Sequence, residues 1–529
     1  MLSLELVVIL SLAVLVCNAV GPRLGVAPPV LLLIVGALLG FIPELRQVHL
    51  PPEAVLLLFL PALLYWESLT TSLREIRSNL RGIVLMSTAL VILTAWAVAA
   101  AAHALGMPWG PAWVLGAAVA PTDATAVGTL AKMLPRRNVT VLRAESLIND
   151  GTALVVYGLA VGITVGEEHL SVPHVGGLFL LAYVGGAAAG ALTAWLGIKS
   201  SRVFNDPLLG NAAMILIPFT AYLLAEVIEA SGVLAVVVAG LIMSQAGPRF
   251  AGAAPMRRQA EAFWSLSTFL LNGALFVLLG LEMQSAARSL SGPDLTHAAL
   301  TVAVVCAVLV AVRFAFQFGA TYLIRLIDRD PQQRLRRVSN RARVVSGLAG
   351  FRGAVSLAVA LSVPTVLDSG APFPDRDMIV FVTSGVIVIT LVVQGLLLPG
   401  VVRWARLPHD TSVEEERFLA ETRATEEALK ALSDLAADLD SAPEIVDRLR
   451  DEYETHLLVL CAGRGETDDH PVLRHDQEYT ALRLALLAHR RATVLRLRDE
   501  HHIDDTVLRQ VQAHLDSEEV RLSRHETTE

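Results

Sequence analysis

Charge is scarce in this chain. Only 17% of its 529 residues are charged, against about 25% in an ordinary soluble domain. With 54% hydrophobic residues and a mean hydropathy of +0.56, a body that is water-soluble throughout is excluded. Cysteine is nearly absent. Cys17, Cys306 and Cys461 share no paired spacing, which excludes a disulfide framework or a zinc site. A basic leader is missing as well: Glu5 stands where a secretory signal carries positive charge, and no small-x-small cleavage site follows, so the first twenty residues read as a retained membrane helix. No surplus of positive charge exists either, the net being −8, and nucleic acid is not a partner on this balance. Finally, no repeated pore loop or selectivity-filter segment is visible, which argues against a channel.

The charges that are present fall unevenly. Residues 1–410 hold 27 Lys and Arg and 22 Asp and Glu, whereas residues 411–529 hold 15 and 28. Two objects are therefore expected, an apolar membrane domain over 1–410 and an acidic cytosolic domain over 411–529. The tail repeats apolar residues at helical spacing through Phe418, Leu429, Leu432, Leu435 and Leu439, and again from Leu482 to Leu497. Ala462 to His475, with Gly463, Gly465 and Pro471, reads as the loop between them. Such a tail dimerises or caps the membrane body; the alternative is a sensor of pH or ligand.

A bilayer core about 30 Å thick needs roughly 20 mostly apolar helical residues. Thirteen such spans are expected, at 4–20, 28–42, 53–70, 80–105, 111–134, 141–165, 173–197, 208–230, 232–246, 262–283, 295–326, 343–367 and 377–404. Lys and Arg collect in cytoplasmic loops. One alternate set of loops holds 20 of them, from Arg23 to the Arg-rich stretch 325–343, and the other holds only Arg46, Arg288 and Arg376. That asymmetry puts the N-terminus outside and the tail in the cytoplasm.

An ionisable group at the centre of a membrane helix costs about 2.5–3.5 kcal/mol even on the lenient insertion scale, so each one is a functional candidate. Glu67, Asp123, Glu145, Asp150, Arg313 and Arg352 lie well inside spans; Glu226, Glu229, Glu282 and His103 lie nearer span ends. Asp123 follows Pro121-Thr122 at mid-span. Pro121 has no N–H to donate, so the helix is expected to break there and release carbonyls for an ion. In the next span, taking Glu145 as zero at about 100° per residue puts Asn149 near 40°, Ser146 near 100° and Asp150 near 140°, one polar face. A carboxylate in a dry cavity holds either a proton or a cation, and carboxylate, hydroxyl and carbonyl oxygens suit alkali ions. Asp150 with Asp123, Thr122 and Ser146 offers that chemistry. Arg352, in Gly350-Phe351-Arg352-Gly353, needs a buried anion, and Glu145 is the expected partner. Glu67 is either a gate near the cation path or a span-end residue.

These residues resemble the monovalent cation/proton antiporters, in the branch of bacterial NhaP-type and animal sodium/proton exchangers. The matches are Pro121-Thr122-Asp123, Glu145-Ser146-x-x-Asn149-Asp150 and Phe351-Arg352-Gly353-Ala354, joined by Leu60 to Glu67 and Leu278-Leu279-Gly280-Leu281-Glu282. The resemblance covers roughly residues 1–405. It implies an all-helical polytopic fold of two inverted repeats with a discontinuous fifth helix, and a homodimer in a bacterial plasma membrane that moves like an elevator and serves pH homeostasis. Asp150 would carry proton and cation alternately, Asp123, Thr122, Ser146 and Glu67 would be further cation contacts, and Asn149 would orient the site. Asn149 stands where electrogenic relatives carry a second Asp, which implies electroneutral exchange of one sodium, or else potassium or lithium, for one proton. Glu145 and Arg352 would form a structural ion pair. No cofactor is implied. The other classes considered are a cation channel and an intramembrane protease with Asp123 and Asp150 as its dyad, in which Glu145 and Arg352 have no role.

Overall fold

The structure is a computed structural model that describes every residue except 1, 25, 27, 44–54, 124–133, 167–171, 202–205, 248–253, 290–291, 328–338, 368, 408–409, 463–470 and 524–529. It divides into two compact units, Met1–Asp410 and Thr411–Glu529. Both are helical; the β pairing found among the described residues is one isolated bridge, Val366 to Pro372.

Among the described residues of the first unit, eight helices are long and apolar enough to cross a membrane: Glu5–Arg23, Leu73–Ala104, Asn138–Val165, Val175–Ser200, Leu208–Val227, Ala254–Arg288, Gly292–Ala320 and Arg376–Ala405. Four shorter apolar helices, Pro28–Leu39, Leu57–Thr70, Trp109–Val119 and Gly232–Ala246, lie among them. The expected span 343–367 is instead two short helices, Asn340–Leu348 and Ala354–Leu361, around a non-helical stretch. The expected span 111–134 is helical only to Val119 and irregular through Asp123, residues 124–133 lying outside the described residues.

Local chemistry sets these boundaries. Ser72, Asp206, Ser231 and Ser339 each accept a backbone N–H from the first turn of the helix they precede, satisfying donors that the helix cannot. Helix–helix contact in lipid lacks a hydrophobic drive, so close approach of small residues takes its place. A Cβ on Gly36 would lie 2.0 Å from the Val277 carbonyl oxygen, and one on Gly280 would lie 2.2 Å from that of Leu33. Helices Pro28–Leu39 and Ala254–Ser289 thus touch backbone to backbone. Gly116 against Ala95 and Gly190 against Ala235 repeat the device, each at 2.2 Å from a carbonyl oxygen. Among the described residues, π-helical turns interrupt the ladders at Val55–Phe59, Leu85–Ala89, Leu181–Gly185 and Thr390–Gln394.

The second unit, described by itself, contains helices Ser412–Asp438, Pro443–Ala462, Pro471–Asp499 and Asp505–Ser523. The loop expected up to His475 is corrected: Pro471 begins a helix, where its missing N–H is harmless. The last two helices bury Leu487, Leu515 and Leu522 between them and are laced by Arg483 and Arg490 on Glu518 (3.0 and 3.1 Å) and by Arg491 on Asp516 (2.6 Å).

Candidate functional site

Two interrupted segments meet in the membrane domain. Helix Trp109–Val119 gives way to non-helical backbone at Pro121, and helix Asn340–Leu348 gives way at Ala349 until Ala354 restarts the turn. The Asp123 N–H donates to the Phe351 carbonyl at 2.8 Å, which stitches the two non-helical stretches together. Their approach leaves no room for a side chain at Gly353, where a Cβ would fall 1.7 Å from Asp123 Oδ2. The Asp123 carboxylate therefore sits against the residue that opens helix Ala354–Leu361, the positive end of that helix. At the other end of the crossing, Arg352 Nε donates to the Val119 carbonyl (3.0 Å), the C-terminal and negative end of its helix, and Arg352 Nη1 donates to Gly350 O. Gln394, with its amide nitrogen turned toward them, donates to the carbonyls of Leu348 and Gly350 at 3.2 Å each. Each charge at the crossing answers a broken helix end.

Helix Arg136–Val165 passes beside this crossing. Asn149 Nδ2 donates to Thr122 Oγ1 at 2.8 Å and to the Thr122 carbonyl at 3.3 Å, and so fixes the non-helical stretch to the helix. Ser146, Asn149 and Asp150 are all buried, Asp150 with 4% of its surface exposed. Among the described residues, no group forms a hydrogen bond or ion pair with the Asp150 carboxylate. Asp123 and Glu67 lie within electrostatic reach of it, and Arg143 lies within reach of Glu67. Among the described residues no three acidic, histidine or cysteine side chains close into a common metal shell, so these acids surround the region without forming a multi-carboxylate cage.

The other acid of this helix is held quite differently. Glu145 Oε1 takes Arg313 Nη1 at 2.8 Å, with both side chains about 4% exposed. The expected Glu145–Arg352 pair is thereby corrected: Glu145 is bonded to Arg313, from helix Gly292–Ile327, while Arg352 is drawn to the orphaned carbonyls of the crossing. Arg313 Nε also donates to the Ser346 carbonyl at 3.2 Å. A small cavity beside the pair is lined by Thr94, Thr122, Glu145, Asn149, Arg313 and Arg352 together with Met86, Leu90, Val91 and Ala120.

Sequence reasoning missed the partner role of Arg313 and the carbonyl-binding role of Gln394. It also missed Thr152, whose Oγ1 donates to the Ser87 carbonyl at 2.8 Å and shares a 2.5 Å hydrogen bond with the Tyr183 hydroxyl. Both of those contacts arise at π-helical turns, Leu85–Ala89 and Leu181–Gly185. His103 stands apart from the site, stacked on Trp109 at 4.2 Å with Nδ1 2.9 Å from the Met107 carbonyl. Glu226, Glu229 and Glu282 are not among the residues lining the cavity.

Comparison with known proteins identifies the family. The family model "Sodium/hydrogen exchanger, transmembrane" matches residues 8–404. An uncharacterized Na+/H+ exchanger of Mycobacterium tuberculosis (strain ATCC 25618 / H37Rv) is 46% identical over 522 residues, which cover 98% of this chain and 96% of that protein. The low-affinity Na+/H+ antiporter NhaS1 of Synechocystis is 29% identical over 504 residues, 94% of this chain and 91% of that one. In three dimensions the sodium proton antiporter MjNhaP1 of Methanocaldococcus jannaschii superposes with a TM-score of 0.56 at 18% identity, covering 76% of this chain and 99% of that chain; it shares the all-helical fold. A family pattern that runs from the first membrane helix to the last, through both interrupted segments, places the chain in the sodium/hydrogen exchanger family of transmembrane antiporters.

Proposed function

We propose that this protein exchanges one monovalent cation for one proton across the bacterial plasma membrane, with Asp150 holding the two in turn. The observation that carries the reading is the contrast between the two acids of helix Arg136–Val165. Glu145 is committed to Arg313 at 2.8 Å, whereas Asp150 is buried beside the crossing with no ionic or hydrogen-bonded partner among the described residues. A bare carboxylate is too costly in that setting, so it takes a proton or an alkali cation, and each displaces the other. Competition at a single acid, opened alternately to the two sides, couples the two fluxes.

Asp123, Thr122, Ser146 and Glu67 are the further oxygen donors in this reading, and Asn149, held by Thr122, orients the carrier helix. An uncharged Asn149 leaves one titrating acid at the pair, which supports an electroneutral one-for-one cycle. Sodium is the preferred substrate, with potassium or lithium as alternatives. The unit is a homodimer whose thirteen spans leave the N-terminus outside and the tail inside. Contacts between distant loops support that topology. Arg136 pairs with Glu75 at 2.6 Å and its N–H donates to Asp410 at 2.7 Å, joining three loops assigned to the cytoplasm. Arg288 Nη2 donates to the Gly40 carbonyl at 3.1 Å, joining two loops assigned outside.

The test is purified protein in liposomes given sodium, potassium or lithium across a pH series with no driving voltage. Cation-dependent proton movement that Asp150→Asn abolishes is the expected result. Exchange by that variant at the wild-type rate would remove Asp150 from the carrier role.

A further inference from the structure

Arg341, Arg403, Trp404 and Arg406 stand at one end of the membrane domain, and among the described residues none of the three arginines has an acid as partner. Helix Gly395–Ala405 ends in Arg403-Trp404-Ala405, followed by Arg406 in the left-handed region at φ 45°. Arg341, in the first turn of helix Asn340–Leu348, stands with its guanidinium 5.6 Å from the centre of the Trp404 ring. All three arginines are exposed. The side-chain contacts of the group, among the described residues, are that cation–π pair and an Arg403 Nε bond to the Pro399 carbonyl of its own helix at 3.4 Å; none of the three arginines forms an ion pair. Above the cluster, Val393, Leu396 and Leu397 are 47%, 68% and 51% exposed and share one helical face with Trp404 at i, i+3, i+4 and i+11. An apolar stripe ending in an indole and three unpaired guanidinium groups matches a single kind of molecule: acyl chain along the stripe, phosphate at its end.

We propose that Arg341, Arg403, Arg406 and Trp404 bind the headgroup of an anionic phospholipid whose acyl chain lies on Val393, Leu396 and Leu397. The charge argues for an anionic lipid, because a zwitterionic headgroup would bring its own cation next to three arginines. Solvation alone answers the charges less well, since the stripe places the group where the helix leaves hydrocarbon. The lipid clamps two helices that carry the crossing: Asn340–Leu348 runs into Gly350 and Phe351, and Gln394, one residue before Gly395, faces the Leu348 and Gly350 carbonyls. Its occupancy thereby steadies the segment against which Asp123 rests.

The experiment is native mass spectrometry of the full-length protein released from detergent after addition of phosphatidylglycerol or phosphatidylcholine, with wild type beside the double variant R341Q/R403Q. Wild type is expected to retain phosphatidylglycerol severalfold more than phosphatidylcholine, and the double variant to retain the two alike. Equal retention of both lipids by wild type overturns the proposal whatever the variant does, as does undiminished selectivity in the variant. Should R341Q/R403Q fail to fold, W404L and the wild-type lipid comparison decide in its place. Displacement of phosphatidylglycerol by inorganic phosphate without dependence on acyl length would assign the cluster to free phosphate and also overturn it. In liposomes, exchange by wild type should rise severalfold when phosphatidylglycerol is added to phosphatidylcholine, and exchange by the double variant should not; since both would exchange in phosphatidylcholine alone, failure of this site is distinguishable from failure of the antiport reading.

Discussion

Removing Glu145 and removing Asp150 should have opposite signatures, because one acid is paired and the other is not. Glu145→Ala strands the Arg313 guanidinium in a site that is almost wholly buried, a change that commonly costs 3–5 kcal/mol; folded yield and melting temperature should fall. Neutralising Arg313 in the same chain should restore much of the loss, and neutralising Arg352 should not, since Arg352 serves the Val119 and Gly350 carbonyls. Rescue by the Arg352 change would reverse that assignment. Asp150→Asn should leave the melting temperature close to wild type while exchange disappears. The identity of these buried ions is legible in the sequence, because any charge amid apolar residues is conspicuous. Their partners are not. Arg313 and Arg352 are equally buried cations, and what sorts them is which carbonyls lose their helical bonds at a crossing between segments more than two hundred residues apart.

At the scale of the element, the first interruption is readable from Pro121, which denies a helix its donor, whereas the second, between Leu348 and Ala354, falls inside what the sequence presents as one apolar span. What the sequence conceals is how tightly the two breaks abut. Gly353→Ala would drive its methyl into the Asp123 side chain, 1.7 Å from Oδ2 and 2.7 Å from Cβ, so that the whole carboxylate arm of Asp123 would have to move. A cost of about 1–3 kcal/mol is expected, with exchange lost more steeply than stability; unchanged transport by this variant would mean that the Asp123 position is dispensable. The π-helical turns at Leu85–Ala89 and Leu181–Gly185 leave no periodic signature either, since each adds a residue inside an otherwise apolar run. Thr152, which both turns present with an oxygen, consequently looks in the sequence like an ordinary hydroxyl on a helix. In the tail, Glu518 is held below the usual carboxylate range by hydrogen bonds from Arg483 and then by Arg490. A depressed carboxyl contributes stability above its ordinary titration range and loses it as pH falls through the lowered one, so protection against hydrogen exchange in Pro471–Ser523 of the full chain, corrected for the intrinsic rate at each pH, should fall in acid. A corrected protection factor that is flat with pH would show these pairs to be idle.

For the whole molecule, the revealing residue is the last one of the membrane domain. Asp410 Oδ2 accepts the Arg136 N–H at 2.7 Å, capping the helix on which Glu145, Asn149 and Asp150 ride. Chains cut after Leu407 and after Asp410 differ by three residues, yet the shorter should melt lower by the worth of a helix cap, about 1 kcal/mol, in a detergent-solubilised thermal scan. Equal melting would show the cap to be redundant. Charge composition alone could divide the sequence into apolar and acidic parts; it had no means of revealing that a single carboxylate at their junction is tied to the start of helix Arg136–Val165. The polypeptide thus leaves the bilayer from a rivet on its own working rod: whatever pulls at the first residues of the acidic tail loads that rivet before it can load anything else.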